Sequence, residues 1–587
     1  MPDLRFDGVS ISYTTQSDSG RGEVPAVVDL NLDIPAGTTL GIAGESGSGK
    51  STLAMAVLRL LPRNARISGR IMLGERNVLE LSFGQLRAVR WSEAAIVFQG
   101  AMHSLNPVRK IGPQIAEALE LHIKDDYRTE DARRSRVLDL LAQVDLPAVK
   151  ADAFPHELSG GQKQRVMIAM ALACDPEVII ADEPTTALDV VVQAQVLDVL
   201  GALVRDRGIT LLMISHDLSV LGAACSKIAV MQAGRIVEEG PSEQIVNAPR
   251  HPHTQALAEA FPTIGDPASR LNPVSRHSAD EAAALTGAAA VTGTAGPIDD
   301  RTPADGAQPE REVLLEARNL NVSFRGRSGT VQAVKDVSLR AHAGEVVALV
   351  GQSGSGKTTL ARTLLALQGA DSGQVLFRGE PVTARAGQLK SYRRQVQLIL
   401  QDPSSALNPK HSIYESVAEG IRIHGLPGDE RERVSAAMKL AELNPPEQFF
   451  SAIPQELSGG QRQRVVIAGA LALEPDFLVA DEPVASLDAS VRGEILALLL
   501  RLKNTLNLGA LVITHDLGLA WNIADRVLVM YQGRIVEAGP VEDVLLRPQH
   551  EYTRKLLSVV PVADGRLPID APEDAPEGLA GQSANSR

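Results

Sequence analysis

Short apolar runs alternate with segments of helical spacing along this chain, and the alternation occurs twice. The runs AGTTLGIAG (36–44) and AGEVVALVG (343–351) each lead into a glycine-rich turn. The segments that follow, TLAMAVLRLL (52–61) and TLARTLLAL (359–367), carry apolar residues at the spacing of a helix. Strands that alternate with helices predict a mainly parallel sheet, with ligands bound at the carboxyl ends of its strands.

Two more buried strands are predicted in each half, and polar residues end all four. EVIIADEP, which starts at 177, and DFLVADEP, which starts at 476, both run into an Asp–Glu pair. ITLLMISHD, from 209, and GALVITHD, from 509, both end in His–Asp. Each His-ended strand should lie beside the acid-ended strand, so we expect these polar groups to meet at one edge of the sheet.

Four motifs recur in the same order at nearly constant offsets. GESGSGKS at 44–51 matches GQSGSGKT at 351–358, an offset of 307 (351 − 44). LSGGQKQR at 158–165 matches LSGGQRQR at 457–464, an offset of 299 (457 − 158), and the acidic and histidine-ended strands recur at 299 as well. A duplicated domain, rather than an array of short repeats, explains this pattern.

Composition divides the chain between and after the two copies. Small residues, Gly and Pro dominate 263–312, without helical or strand periodicity. We therefore predict a first domain at 1–262, a flexible linker at 263–312, a second domain at 313–562 and a disordered tail at 563–587. A charged helical spacer is the alternative for the linker, and the spacing of Gly and Pro argues against it.

Overall composition excludes several classes of protein. The 587 residues are 44% hydrophobic and 22% charged, and no apolar run approaches the ~18 residues that suggest a membrane span. No basic segment followed by an apolar stretch opens the chain, so a secretory leader is not expected. Cys174 and Cys225 are too few for a disulfide framework, which favours the reducing cytosol. A net charge of −13 and 3% aromatic residues disfavour nucleic-acid binding.

The two glycine-rich turns have the spacing G-x-x-x-x-G-K-[ST]. Glycines let backbone N–H groups surround phosphates, Lys50 or Lys357 neutralises the β and γ oxygens, and the Ser or Thr hydroxyl ligates Mg²⁺. A purely structural strand–helix turn is the alternative, and two matches after apolar strands argue against it. The predicted nucleotide-binding residues are Gly44, Ser46, Gly47, Gly49, Lys50, Ser51 and Thr52, and Gly351, Ser353, Gly354, Gly356, Lys357, Thr358 and Thr359.

The polar strand ends supply the remaining chemistry. Asp182 and Asp481 are suited to hold Mg²⁺, together with Ser51 and Thr358. Glu183 and Glu482 are predicted to orient or deprotonate the attacking water, and His216 and His515 to contact the γ-phosphate. Solvated carboxylates and structural histidines are the alternative, but these would not recur behind a phosphate loop.

With LSGGQ added, the set resembles the ATP-binding cassette of ABC transporters, over both halves of the chain. The resemblance implies an α/β fold: two tandem P-loop NTPase domains, each a mainly parallel sheet with an antiparallel β subdomain and a helical subdomain. It also implies that Tyr13 and Phe324 stack on adenine, although either could be a strand aromatic packed in a core. Gln99 and Gln401 match the glutamine that contacts Mg²⁺.

The resemblance further assigns LSGGQ to the closure of the opposite cassette's ATP, whereas alone it would be a plausible helix-capping turn. Its residues are Ser159, Gly160, Gly161 and Gln162, and Ser458, Gly459, Gly460 and Gln461. Asp189 and Asp488 match the aspartate that links the two sites. Each P-loop leaves one side of the γ-phosphate open, so we expect two head-to-tail composite sites within one chain, closed by ATP-dependent association of the halves.

Two kinds of segment, each present once in both halves, narrow the resemblance to one group of ABC transporters. GAMHSLNP after Gln99 and DPSSALNP after Gln401, with HPHTQAL at 251–257 and QHEYTRKLL at 549–557, are similar to importer ATPases for dipeptides, oligopeptides, glutathione and nickel. The first copy departs from that pattern, since Gly100 and Ala101 replace Asp–Pro. This implies a motor subunit at the cytoplasmic face of the cell membrane, with two permease subunits and an extracytoplasmic solute-binding protein, moving peptides in preference to nickel or glutathione.

Other twin-cassette proteins remain as alternatives. ABC ATPases that act on ribosomes have a charged helical linker, and those that act on DNA add zinc-binding cysteines or coiled coils; neither feature is seen here. A module that senses ATP without hydrolysing it would not need both glutamates. The cofactors expected are ATP and Mg²⁺. No iron–sulfur cluster is expected on this chain, because two cysteines cannot supply the usual four thiolates.

Overall fold

The structure is a computed structural model that describes residues 3–17, 20–98, 104–123, 126–186, 188–260, 263–267, 269–271, 273, 311–326, 329–383, 385–485 and 487–560. The strands of the first half are β1 (Leu4–Ser17), β2 (Gly20–Ile34), β3 (Thr39–Ala43), β4 (Ala65–Leu73), β5 (Arg76–Asn77), β6 (Ala94–Val97), β7 (Val178–Asp182), β8 (Thr210–Ile214), β9 (Lys227–Gln232) and β10 (Arg235–Pro241). Its helices are α1 (Lys50–Val57), α2 (Phe83–Val89), α3 (Ile111–His122), α4 (Glu130–Gln143), α5 (Gly160–Ala171), α6 (Val190–Arg207), α7 (Leu218–Ala224), α8 (Ser242–Asn247) and α9 (Pro252–Glu259).

The second half repeats this order. Its strands are β11 (Val313–Gly326), β12 (Gly329–His342), β13 (Val346–Val350), β14 (Ser372–Phe377), β15 (Glu380–Pro381), β16 (Val396–Ile399), β17 (Phe477–Asp481), β18 (Gly509–Thr514), β19 (Arg526–Tyr531) and β20 (Arg534–Pro540). Its helices are α10 (Lys357–Leu364), α11 (Ala386–Gln395), α12 (Pro403–Ala406), α13 (Ile413–His424), α14 (Glu430–Leu440), α15 (Gly459–Leu471), α16 (Ala489–Leu506), α17 (Leu517–Ile523), α18 (Val541–Leu546) and α19 (Glu551–Ser558).

Each half contains two sheets. A four-stranded antiparallel sheet has the order β2-β1-β4-β5 in the first half and β12-β11-β14-β15 in the second. A six-stranded sheet has the order β10-β9-β3-β8-β7-β6, and its counterpart the order β20-β19-β13-β18-β17-β16. All neighbours in the six-stranded sheets are parallel except the antiparallel edge pairs β9–β10 and β19–β20. The α/β class and the mixed sheet composition predicted from the sequence are confirmed.

The central sheet of each half separates two apolar layers. Along β7, Val178 and Ile180 pack with the antiparallel sheet and α1, while Ile179 and Ala181 face the helical layer that includes α3, α4 and α5. A strand buried on both faces needs a continuous apolar run rather than an alternating one. This is why the sequence reads as uninterrupted apolar residues up to the acidic pair.

The glycine-rich turns follow the central strands β3 and β13 directly. Gly44 has φ 149° and Gly351 φ 150°, and a Cβ on either would collide with the carbonyl oxygen of Met231 or Met530, respectively. Only glycine fits where the loop backbone passes this close to the neighbouring strand. The loop backbone therefore lies in close contact with the end of the neighbouring strand.

The first residues of the predicted linker pack on the second half. The indole Nε1 of Trp521, on α17, donates to the carbonyl oxygen of Asp266 and to Ser269 Oγ, at 3.2 Å each. Arg270 pairs with Glu542 at 3.0 Å, and its guanidinium lies 5.8 Å from the Trp521 ring centroid. The range 263–312 thus begins with docked residues; 274–310 and the tail from 561 lie outside the described residues. Composition missed this docking because its partners are more than 250 residues away.

Among the described residues, none of the helices combines the length and the apolarity that a membrane crossing requires.

Candidate functional site

Each P-loop lysine begins a helix and folds back onto its own loop. Lys50 Nζ donates to the carbonyl oxygens of Gly44 and Glu45 at 2.7 Å each, and Lys357 Nζ to those of Gly351 and Gln352 at 2.6 and 3.0 Å. Burial lowers the pKa of both lysines, against the opposing charges of nearby carboxylates. Lys50 Nζ also donates to Ser48 Oγ at 3.3 Å. A buried ammonium held mainly by neutral oxygens is suited to receive phosphate oxygens.

The hydroxyl of Ser51 lies beside the first carboxylate of the acidic pair. Ser51 Oγ donates to Asp182 Oδ1 at 3.1 Å. Burial raises the pKa of Asp182 and of Asp481, and hydrogen bonds from Ser51 and Thr358 act in the opposite direction. A hydroxyl and a buried carboxylate in contact form an oxygen pair of the type that Mg²⁺ prefers, and a cation there would relieve the cost of burying the charge.

The second carboxylate of each pair is held by histidine at the end of the neighbouring strand. The Glu183 Oε1–His216 Nδ1 distance is 3.3 Å and the Glu482 Oε1–His515 Nδ1 distance is 2.8 Å. Burial acts to raise the pKa of each glutamate, but the hydrogen bond and charge of the histidine outweigh it and the pKa is lowered. Both glutamates are thus kept ionised, as a residue that accepts a proton from water must be.

The backbone also turns sharply at these glutamates. Glu183 has φ 47° and Glu482 φ 48°, a left-handed conformation that is uncommon outside glycine, asparagine and aspartate. Their amides donate to the carbonyl oxygens of Ile214 and Ile513 at 3.0 and 2.9 Å. These bonds hold the turn and carry each carboxylate off the strand, toward the histidine.

The LSGGQ segments form the first turns of α5 and α15. Ser159 Oγ accepts from the Gln162 amide at 3.3 Å, and Gln162 Oε1 accepts from the Ser159 amide at 3.2 Å. The Ser458–Gln461 pair is the same, at 3.2 and 2.9 Å. Both are capping boxes, so the capping turn is present, and it sets the positive end of a helix at the surface. A Cβ on Gly161 or Gly460 would meet Val192 or Val491, so small residues are needed where these helices pack against α6 and α16.

Two reciprocal hydrogen bonds join the halves. The backbone amide of Ser46, in the first P-loop, donates to Asp488 Oδ1 of the second half at 3.2 Å. The amide of Ser353, in the second P-loop, donates to Asp189 Oδ2 of the first half at 3.0 Å. Each half therefore places an aspartate, located just after its acidic pair, on the P-loop of the other half. The two halves are arranged head to tail.

A cavity of about 150 Å³ lies between the halves. His216 of the first half and Glu482, His515 and Arg492 of the second half contribute to its wall. His216, which contacts Glu183, and both catalytic candidates of the second half therefore line the same cavity.

The remaining predicted residues are the two aromatic residues and the two glutamines. Tyr13 Oη lies 3.1 Å from Thr52 Oγ1, directly beside the first P-loop, and Phe324 is 44% exposed, free to stack on a ring. Gln401 Nε2 donates to Glu482 Oε2 at 2.8 Å, which places it at the second acidic pair. Gln99 lies outside the described residues, as do Gly100 and Ala101.

Sequence reasoning missed two contacts at these sites. Thr186 Oγ1 donates to Glu183 Oε2 at 2.9 Å, and in the second half Tyr552 Oη accepts from the amide of Gln352 at 3.1 Å. The signal for Tyr552 was present, because the HPHT and HEYT segments recur at the offset of 299 that aligns the other motifs.

Comparison with known proteins shows the family to which the chain belongs. The family model "ABC transporter" matches residues 27–186 and 334–485, and the model "Oligopeptide/dipeptide transporter, C-terminal region" matches 237–288 and 536–581. The "Glutathione import ATP-binding protein GsiA" of Salmonella choleraesuis (strain SC-B67) is 42% identical over 96% of this chain and 90% of its own length. The protein of that name in Escherichia coli (strain K12) is 42% identical over 92% of this chain and 87% of its own length.

Among solved structures, cbiO1 from Clostridium perfringens, part of the ABC transporter complex cbiONQ, is 31% identical, with a TM-score of 0.37 over 40% of this chain and 92% of that chain. The family assignment rests on the two models and on the full-length relatives. The chain belongs to the ABC transporter family, as a twin-cassette ATPase in which an oligopeptide/dipeptide transporter C-terminal region follows each cassette.

Proposed function

We propose that this chain is the ATP-hydrolysing subunit of an importer for small peptides. The observation that carries the proposal is the 42% identity over 96% of the chain to proteins named for glutathione import, with the oligopeptide-type region after both cassettes. Glutathione is itself a small peptide, so it is the first cargo to test. Dipeptides and longer oligopeptides are the next candidates, and nickel follows.

Two permease subunits at the cytoplasmic face of the membrane, with an extracytoplasmic solute-binding protein, would complete the importer. Residues that contact cargo would lie in those proteins, because no motif identified in this chain is assigned to cargo. Nucleic acid is not a proposed partner, because the net charge of −13 opposes phosphate backbones.

In the proposed reaction, Lys50 and Lys357 and the P-loop amides bind the phosphates of ATP. Ser51 and Asp182, with Gln99, would hold Mg²⁺ in the first site, and Thr358, Asp481 and Gln401 would hold it in the second. The ion would neutralise charge on the phosphates. Tyr13 and Phe324 would stack on adenine. Each loop presents its amides at a helix N-terminus, which favours the anionic ligand.

Glu183 and Glu482 then accept a proton from the attacking water, because the paired histidine keeps each carboxylate ionised and oriented. His216 and His515 would also contact the γ-phosphate. Residues 458–461 would close over the ATP bound to the first P-loop, and residues 159–162 over the ATP bound to the second. The two aspartate links support this sandwich, because they already place each half against the opposite P-loop.

We also propose that the chain carries no iron–sulfur cluster. Cys174 and Cys225 are buried in the apolar layer of the first cassette, and burial raises the pKa of both thiols to about 12. Thiols that resist ionisation are poor metal ligands. Stoichiometric iron, with visible sulfide-to-iron absorption, in anaerobically purified protein would contradict this.

The test of the importer is reconstitution. The chain is purified from detergent-solubilised membranes, its co-purifying proteins are identified, and the complex is placed in proteoliposomes with the binding protein. We expect permeases to co-purify, and labelled glutathione or dipeptide to accumulate only with ATP and not with the Glu183→Gln/Glu482→Gln chain. Co-purification with ribosomes and no permease, or uptake of neither peptide, would overturn the proposal in favour of the twin-cassette alternative or another cargo.

A further inference from the structure

The oligopeptide-type region after each cassette contains a helix whose first turn is fixed by side-chain hydrogen bonds. In the second half, the carboxylate of Glu537 accepts from the amides of Gln549 and His550 at 2.7 and 3.1 Å, and His550 Nδ1 accepts from the amide of Tyr552 at 3.1 Å. The Glu537 carboxylate and the His550 ring thus accept hydrogen bonds from backbone amides at the start of α19 that have no partner within the helix. Tyr552 is therefore held at a defined place on the first turn.

The side chain of Tyr552 extends from this turn to the P-loop. Its ring stacks on Tyr531, the last residue of β19, with ring centroids 4.0 Å apart and an interplanar angle of 25°. Its hydroxyl oxygen accepts from the amide of Gln352 at 3.1 Å. Tyr552 is 7% exposed, so this bond is made away from bulk water, where losing it is most costly.

Gln352 and the next residue, Ser353, together make three contacts of the second site. Its amide is held by Tyr552, and its carbonyl oxygen accepts from Lys357 Nζ at 3.0 Å. The next amide, that of Ser353, donates to Asp189 of the first half. One hydroxyl thus fixes the stretch of backbone on which both the phosphate-binding lysine and the link between the halves depend.

We propose that Tyr552 is a positioning residue for the second ATP site: its hydroxyl sets the P-loop backbone for Lys357 and for the Asp189 link. This rests on the assignment of the P-loops as ATP sites, within the proposed function. The oligopeptide-type region would then help to position the P-loop that binds ATP.

The first site lacks this contact. At the positions offset by 299, His253 replaces Tyr552 and Gln232 replaces Tyr531, so the stacked pair is absent; at the P-loop offset of 307, Glu45 takes the place of Gln352. The amide of His253 is held by His251 Nδ1 at 3.2 Å, as in the second half. Its Nε2 is buried and makes no hydrogen bond within the described part of the chain. The turn is therefore shared by the two cassettes, while the hydroxyl contact belongs to the second alone.

The test measures each site separately in the full-length chain. Lys50→Ala leaves the second site as the high-affinity site, and Lys357→Ala leaves the first. Equilibrium binding of Mg-ATP is measured in each background, with and without Tyr552→Phe, which removes only the hydroxyl. We expect Tyr552→Phe to raise the dissociation constant of the second site about five-fold, the effect of one lost hydrogen bond, and to leave the first site within about two-fold.

The matched control is Tyr414→Phe, which removes a hydroxyl that donates to Glu430 at 3.0 Å in the helical layer of the same cassette. The thermal midpoint of each variant reports general loss of structure. In the chain with both lysines, Tyr552→Phe should raise the KM for ATP more than it lowers kcat. Equal weakening of both sites, an equal effect of Tyr414→Phe, or no change at the second site would overturn the proposal. The uptake assay tests the importer proposal separately from ATP binding. If it failed, the measured effect of Tyr552→Phe on ATP binding would still hold.

Discussion

The carboxylate of Asp189 accepts a hydrogen bond from the amide of Ser353, a residue 164 positions later in the chain and in the other cassette. Asp488 and Ser46 make the reciprocal bond. A charged acceptor on a backbone donor is stronger than a neutral pair. Each P-loop is therefore in contact with the segment that follows the opposite acidic pair.

Removing one of these links should weaken ATP binding by the first P-loop. Asp488→Ala is the cleaner variant, because Asp189 also caps α6 through the amide of Val192, at 3.1 Å. We expect the KM for ATP to rise about ten-fold, since a hydrogen bond to a charged group is worth ~1.5–3 kcal/mol, and Asp488→Asn to have a smaller effect. The control is Asp543→Ala, whose carboxylate pairs with Arg547 at the surface. Equal KM values for Asp488→Ala and the control would refute the role of the link.

The catalytic assignment is tested by Glu183→Gln combined with Glu482→Gln. Glutamine retains the shape of the side chain but cannot accept the proton of water, so we expect steady-state hydrolysis to fall by about 10²-fold or more while ATP still binds. Phosphate release and nucleotide binding are measured side by side. Glu243→Gln, an exposed change on α8, serves as control. Undiminished turnover in the double variant would remove both glutamates from the mechanism.

Features formed by residues close together in the sequence could be predicted, and contacts between distant residues could not. Lys50, Ser51 and the glycines around them were predictable, because a phosphate loop is a contiguous segment with fixed spacing. The strands were predictable from apolar runs that end in acids. That Asp189 links the two sites was expected only from the family resemblance, and its partner Ser353 was not predicted, since no local pattern specifies a contact across 164 residues.

The docked segment after the first cassette was not predictable in this way. Residues 263–273 carry no sequence periodicity, and Asp266 and Ser269 are held by hydrogen bonds from Trp521 and Asn522 of the second cassette. At the offset of 299, the first cassette has Gly222 and Ala223 instead. In the described part of the chain, the first cassette therefore lacks the two side chains on which this segment docks, and the features that the two copies share do not reveal the contact.

Arg270→Ala should loosen that segment. The change removes the ion pair with Glu542 and the stacking on Trp521, but leaves the core residue Trp521 in place. We expect a nonspecific protease to cleave within 263–273 several-fold faster. The thermal midpoint should change little, because the ion pair is open to solvent at Glu542, which is 48% exposed, and pairs screened by solvent contribute about 1 kcal/mol or less. Arg547→Ala is the matched surface control. Identical cleavage rates in the native, control and Arg270→Ala chains would show that the docking contacts do not restrain the segment.

The stability of the second cassette should depend on pH through Glu316. Hydrogen bonds and charges from Arg318 and Arg340 lower the pKa of Glu316 from 4.5 to about 2. A lowered folded-state pKa contributes stability that is present above about 4.5 and is lost as pH falls toward about 2. Glu316→Gln should therefore lower the unfolding midpoint at neutral pH, with the difference from the native chain shrinking below pH 4.5. A difference that is constant across this range would contradict the assignment.

The central claim is that the two halves of one chain share both ATP sites. Ser46→Cys and Ser458→Cys are introduced into a chain lacking Cys174 and Cys225, with both catalytic glutamates changed to Gln, and a short thiol crosslinker is added with or without Mg-ATP. We predict that crosslinks form within single chains and that their yield increases with ATP. Such crosslinks are seen as a mobility shift at monomer mass. Crosslinks only between chains, or an intrachain yield that ignores ATP, would contradict it.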